Sequence, residues 1–136
     1  MTIVQTDSAV SPKVKAFLEN FFRLSDEPSA HEEYSQQFID GPGLHFQIGP
    51  MKAVDTRKDV HAWRVKAWQP PIISRNHQID DVFVKGDEQL MLRGRVTYGK
   101  DDGSEGSATC GAWMVFAPGE ELKIQSYTVW VTPEQK

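Results

Sequence analysis

The sequence predicts an α+β fold: three N-terminal helices packed on a strongly bent, mostly antiparallel sheet, a cone-shaped half-barrel. Three observations carry this. Through most of the stretch up to Trp68, apolar residues recur at spacings of three and four. From Ile72 onward they alternate with period two. The alternating runs are separated by short turns rich in glycine, proline and acidic residues, which makes consecutive strands antiparallel neighbours. Helices first and strands after exclude a parallel sheet with interleaved helices.

The elements follow in chain order. Residues 1–10 are polar and lack periodicity, and read as a flexible arm. Ser11-Pro12 reads as an N-cap followed by proline at the first helical position. Val14, Phe17, Leu18, Phe21 and Phe22 then form one apolar stripe on a helix over 11–24, which Ser25, Asp26 and Pro28 end. Pro28 opens a second helix over 28–39, with Tyr34 and Phe38 on one face, and Gly41-Pro42-Gly43 breaks it. Leu44, Phe46 and Ile48 alternate with His45 and Gln47 as a short strand. Asp55 or Thr56 caps a third helix that runs through Trp68, with Val60, Trp63 and Ala67 inward, until Pro70-Pro71 stops it. Four long strands complete the order: Ile72 to Val84 with a bulge at Asp80-Asp81, then Leu90 to Tyr98, Ser107 to Phe116, and Leu122 to Val131. Long strands joined by tight hairpins must curl to bury one face, and the helices then close the concave side over a cavity.

Composition narrows the function. The 136 residues suffice for one core, so a single domain is expected over 11–132 with a C-terminal tail at 133–136. Hydrophobic residues at 39% and charged residues at 25% exclude wholesale disorder. A net charge of -4 without a basic run argues against nucleic-acid binding. No apolar run approaches the ~20 residues that span a bilayer, so no membrane partner is expected, and Met1 to Ser11 lacks the pattern of a signal peptide. The single cysteine, Cys110, allows neither an internal disulfide nor a cysteine-based metal site and points to a reducing, cytoplasmic setting.

No glycine-rich phosphate loop and no nucleophile elbow is present, and His31 with Glu32 and Glu33 does not make a His-Glu-x-x-His site. No cofactor and no metal are therefore expected. Aromatic residues suggest instead an apolar pocket for a hydrophobic small molecule. Trp63 and Trp113 sit on faces expected to turn inward, and Phe22, Tyr34, Phe46 and Tyr127 are further candidates for its lining. Tyr127 and Trp130 have opposite parity, so without a bulge only one of them faces in. Burial of Leu92 and Val96 turns Arg93 and Arg95 outward.

The element order, Asn76-His77-Gln78-Ile79 leading into Val82-Phe83-Val84, the Lys85–Glu88 turn and the Gly111-Ala112-Trp113-Met114-Val115-Phe116 strand together resemble the nuclear-transport-factor-2-like superfamily. Within it they resemble the SnoaL-like branch of polyketide cyclases and dehydratases, over residues 11–132. The scytalone dehydratases are the nearest chemical template. That resemblance puts Asp26 on the position of their pocket acid and His77 on that of their first histidine. It departs at Ser25 and near Ile48, where tyrosines are expected, and no histidine follows His77.

A carboxylate that accepts from one imidazole nitrogen fixes the tautomer and leaves the other nitrogen to move a proton. The resemblance thus implies a cofactor-free lyase, isomerase or cyclase acting on a hydrophobic carbonyl compound, with His77 as general acid/base and Asp26 as its orienter or a second base. The missing tyrosines and second histidine leave a non-catalytic binding or interaction module as the alternative. The resemblance also implies a homodimer through the convex sheet face, where Met91, Arg93, Arg95 and Cys110 are expected.

Overall fold

The computed structural model describes residues 2–134. Helix α1 spans Pro12–Asp26, and the Ser11 side chain accepts from the Val14 N–H as its N-cap. Its stripe of Val14, Leu18, Phe21 and Phe22 is buried against the sheet. Helix α2 is a short piece, His31–Ser35, and not the longer helix that 28–39 suggested. The reason lies at its end. Ile124 N donates to Gln37 O and Ile39 N to Ile124 O, so residues 37–39 leave the helix and pair with the sheet at Phe38. Helix α3 covers Arg57–Ala67, with the Thr56 side chain accepting from Asp59 N. The Pro70-Pro71 pair that follows is joined by a cis peptide bond.

Six strands form one mixed sheet in the order β1-β3-β4-β5-β6-β2. They are β1 (Ile3–Val4), β2 (His45–Ile48), β3 (Ile72–Lys85), β4 (Gln89–Lys100), β5 (Glu105–Phe116) and β6 (Ile124–Pro133). The four long strands are antiparallel neighbours, as expected. The two short ones lie parallel on the edges, β1 beside β3 and β2 beside β6. Within the expected arm, of which residue 1 lies outside the described residues, Ile3 and Val4 pair with Gln78 and Ile79, and Val10 is buried. Pro133 belongs to β6 and Glu134 N donates to Ser107 O, whereas the rest of the expected tail, 135–136, lies outside the described residues.

Two bulges decide what faces inward. The register of β3 on β4 shifts between Ile79 and Asp81. Before the shift Arg75 and His77 share the concave side with their partners Tyr98 and Val96; after it Val82 and Val84 do, opposite Leu92 and Leu90. A regular strand would have put His77 and Val82 on opposite faces. Gly94 pairs with Ile79 at this bend, and a Cβ there would stand 2.2 Å from Gln78 O, so only glycine fits. The second shift, between Val115 and Phe116, lets Ile124 and Tyr127 both turn inward.

On β5 the inward row is Ala108, Cys110, Ala112, Met114 and Phe116. Two sequence expectations fail here. Trp113 faces out, 40% exposed, with its Nε1–H donated to Gln89 Oε1. Cys110 faces in, not onto the convex face. The alternation is set by Met114 and Phe116, and the small residues at 110 and 112 keep space open beneath α1 and α3. Arg93 and Arg95 do face out, and Arg93 pairs with Asp81 at 2.6 Å.

Candidate functional site

The space left by those small residues is a cavity of about 80 Å³, against the ~10–15 Å³ that one water needs. It therefore has room for a ring-sized guest or several waters. Helix α1 contributes Phe22 and Ser25, α2 contributes Tyr34, and α3 contributes Trp63 and Arg64, with Trp68 just beyond it. The sheet contributes Arg75 and His77, then Tyr98, Cys110 and Tyr127 on the following strands.

Asp26 is the last residue of α1, and it reaches across to β3. Its Oδ1 lies 2.5 Å from His77 Nδ1. Its Oδ2 accepts from the His77 backbone N–H at 2.8 Å and from the Thr2 hydroxyl at 2.6 Å. Both side chains are shielded: Asp26 is 7% exposed and His77 18%. A carboxylate oxygen accepts only, so Nδ1 carries the hydrogen and donates it. In the neutral ring Nε2 then keeps the lone pair, and the ring lines the cavity. The Phe22 ring packs against the imidazole at 5.3 Å between centroids. The structure thus joins the two residues singled out as an acid–base pair, 51 positions apart in the chain.

No known family's sequence model matches the chain, and no curated protein matches it. Solved structures do. ActVI-ORFA from Streptomyces coelicolor superposes with a TM-score of 0.73 at 20% identity, over 88% of this chain and 94% of that one. A candidate scytalone dehydratase from Novosphingobium aromaticivorans gives 0.71 at 10% identity, over 88% and 82%. An NTF2-like protein from Anabaena variabilis gives 0.69 at 10% identity, over 88% and 87%. The chain has the nuclear-transport-factor-2-like fold. At these identities the likeness is one of fold, and the chemistry must be read from the site.

Within this NTF2-like cone, the expected lining residues fall into three groups. Phe22, Tyr34, Trp63 and Tyr127 line the cavity. Phe46 does not: it is fully buried behind the wall, with ring centroids 5.1 Å from Trp63 and 5.3 Å from Phe38. Its strand, β2, lies parallel beside β6 at the sheet edge, which carries the ring into the core under Tyr127. Trp113 is on the opposite face of the sheet altogether. The parity question at the last strand resolves in favour of Tyr127, and Trp130 is 53% exposed.

Sequence reasoning missed the cavity's two arginines. Arg64 is 1% exposed and lies over the Tyr34 ring, 4.9 Å from its centroid, and near Trp68 at 5.5 Å. Arg75 sits between Trp68 and Tyr98, at 5.4 and 5.2 Å. A signal for Arg75 existed: it stands two before His77 on one strand, hence on the same face. Arg64 follows Val60 by four on α3, which puts it on the buried stripe. Burial holds both guanidinium groups below the usual arginine range. It pushes the Tyr34, Tyr98 and Tyr127 phenols up, and the Cys110 thiol with them.

Proposed function

We propose that this protein is a small-molecule enzyme of the lyase, isomerase or cyclase type. In this reading His77 Nε2 takes a proton from carbon next to a carbonyl and returns it to oxygen or carbon. Asp26 holds the ring so that Nε2 is the free base and steadies the imidazolium while it carries the proton. The apolar walls of Phe22, Trp63 and Val129 keep bulk water from the reacting atoms. The observation that carries the reading is the 2.5 Å contact between Asp26 and the His77 ring inside a cavity. The chemistry of similar folds, among them a candidate scytalone dehydratase, agrees with it.

Exchange of the α-hydrogens of aryl ketones and β-hydroxy ketones in deuterium oxide, followed by NMR, tests the shared step. The wild-type protein is expected to accelerate exchange for at least one member of such a panel. His77→Ala is expected to keep its circular dichroism spectrum and lose about 10²–10⁴-fold in rate, the usual worth of a general base. A His77→Ala protein that exchanges at the wild-type rate would overturn the assignment.

One observation favours a second reading. Ser25 and Ile48 line the cavity where the resemblance led us to expect tyrosines, and the Ser25 hydroxyl is spent on Phe21 O at 2.9 Å. A binding protein without turnover would release its ligand unchanged, and the same NMR experiment distinguishes the two.

The protein is also proposed to pair with a second copy of itself through the convex face. Phe83, Met91 and Trp113 stand in one cross-strand row there, 65%, 49% and 40% exposed. Among the described residues no helix is long and apolar enough to cross a membrane. A cytoplasmic setting fits the lone cysteine.

A further inference from the structure

Arg64 and Arg75 bring two positive charges into the cavity wall without a carboxylate in contact; Asp26 acts on both, and Glu27 on Arg64, only from farther off. Among the described residues, no carboxylate oxygen lies within 4.0 Å of either guanidinium. Each has a helix end instead. Arg64 donates from Nη1 and Nη2 to Leu24 O at 3.1 and 3.0 Å, and from Nη2 to Glu27 O, closing the C-terminus of α1. Arg75 donates from Nη2 to Ala67 O at 2.6 Å, at the last residue of α3. A helix C-terminus offers about half a negative charge, and the rings of Tyr34, Trp68 and Tyr98 offer only their π faces. At contact distance two full charges are thus met by partial ones. Both arginines also keep donors to spare, because the Nε–H of each is buried without a partner.

Such a pair has given up water and gained no counter-ion in contact, a state that an entering anion improves. A guanidinium matches a carboxylate with two parallel hydrogen bonds. Arg75 and His77 are alternate residues of β3 on one face, about 7 Å apart along the strand, roughly the width of one ring. Flat aromatic walls flank Arg75 on two sides, Trp68 and Tyr98.

We propose that Arg75, backed by Arg64, is an anion subsite, and that the substrate is an aromatic or unsaturated ring acid. Its carboxylate sits on Arg75, about one ring width from the carbon that His77 deprotonates. This deepens the acid–base reading and rests on it for the reacting carbon, whereas the subsite stands or falls by binding alone.

Benzoate and 2-naphthoate, measured against benzamide and 2-naphthamide, test it. Each pair shares a ring and differs in charge. Calorimetry and quenching of tryptophan fluorescence report the affinities. The wild-type protein is expected to prefer an acid over its amide by about tenfold to a hundredfold, and salt is expected to narrow the gap. Arg75→Gln should bring the acid down to the affinity of its amide. Arg75→Lys should keep part of the preference, as a point charge without the fork, and it carries the test if the glutamine variant fails to fold. His77→Gln should keep the preference whole.

Equal affinities for acid and amide in the wild type would overturn the subsite, and so would no binding of any probe. A preference that survives Arg75→Gln but disappears in His77→Gln would move the anion to the imidazole and overturn it as well. A preference of the expected kind in a protein whose His77→Ala variant exchanges ketone hydrogens at the wild-type rate would leave the subsite standing and remove the acid–base reading.

Discussion

Asp26→Asn changes one atom of the acid–base pair and reverses its polarity. The carboxylate accepts from the Thr2 hydroxyl and the His77 backbone N–H on Oδ2, at 2.6 and 2.8 Å, and from the His77 ring on Oδ1 at 2.5 Å. An asparagine has one accepting oxygen. That oxygen takes the Oδ2 place, where two donors meet, and the NH₂ group then faces Nδ1. Nδ1 must accept, so the ring hydrogen moves to Nε2 and the base in the cavity becomes a donor.

Charge-assisted hydrogen bonds contribute about 1.5–3 kcal/mol each and neutral ones about 1. Weakening the three contacts in this way costs about 2–4 kcal/mol, and solvent screens little of it because the Asp26 side chain is 7% exposed. For a chain of 136 residues that lowers Tm by roughly 6–15 °C. The exchange reaction should slow by about 10³-fold, well beyond what the stability loss explains in a protein still folded at 25 °C. Long-range ¹⁵N–¹H NMR of the imidazole reads the tautomer directly. A His77 ring in Asp26→Asn that still carries its hydrogen on Nδ1, or an exchange rate equal to the wild type's, would refute the reasoning.

Three further outcomes follow from the same structure. Gly94→Ala should destabilise the protein by roughly 3 kcal/mol in urea unfolding, because its Cβ would stand 2.2 Å from Gln78 O in the backbone of the bulge; a loss of a few tenths would mean that the bulge yields easily. Tyr34, Tyr98 and Tyr127 all hold their protons more tightly when folded, chiefly through burial. Their contribution to stability is full below about pH 10 and falls as pH rises through the folded values, so tyrosinate absorbance should appear together with the loss of circular dichroism. Ionisation near pH 10 with the fold intact would contradict the burial. Met91→Glu, at the centre of the convex row, should shift sedimentation from dimer to monomer with the cavity unchanged; a wild-type protein that sediments as a monomer would remove the pairing.

Much of this molecule was legible in the sequence because the strands obey parity. Val82, Leu92 and Val96 announce their face, and Asp80-Asp81 announces the break that changes it. The Ser11-Pro12 start and the Thr56 cap are written in single residues. Asp26 and His77 were legible only through resemblance, since nothing local links residues 51 positions apart. Other features had no local signal. Trp113 reads as core by size, yet the outward parity of β5 outweighs the apolarity of one ring. Phe46 alternates correctly, but its distance from the cavity depends on the edge position of β2. Arg64 differs: its spacing of four from Val60 was a signal, whereas its partners at the end of α1 come from the fold alone. The Ile3–Val4 strand is too short for any periodicity, and it forms because β3 offers it an open edge.

That two-residue strand has a practical consequence. It brings the Thr2 hydroxyl onto the carboxylate that holds the His77 ring, so the segment before α1 is part of the scaffold of the Asp26–His77 pair. A change that displaces Thr2 removes one of the three donors to the carboxylate. An inactive preparation altered in this segment reports on the support of Asp26 before it reports on His77.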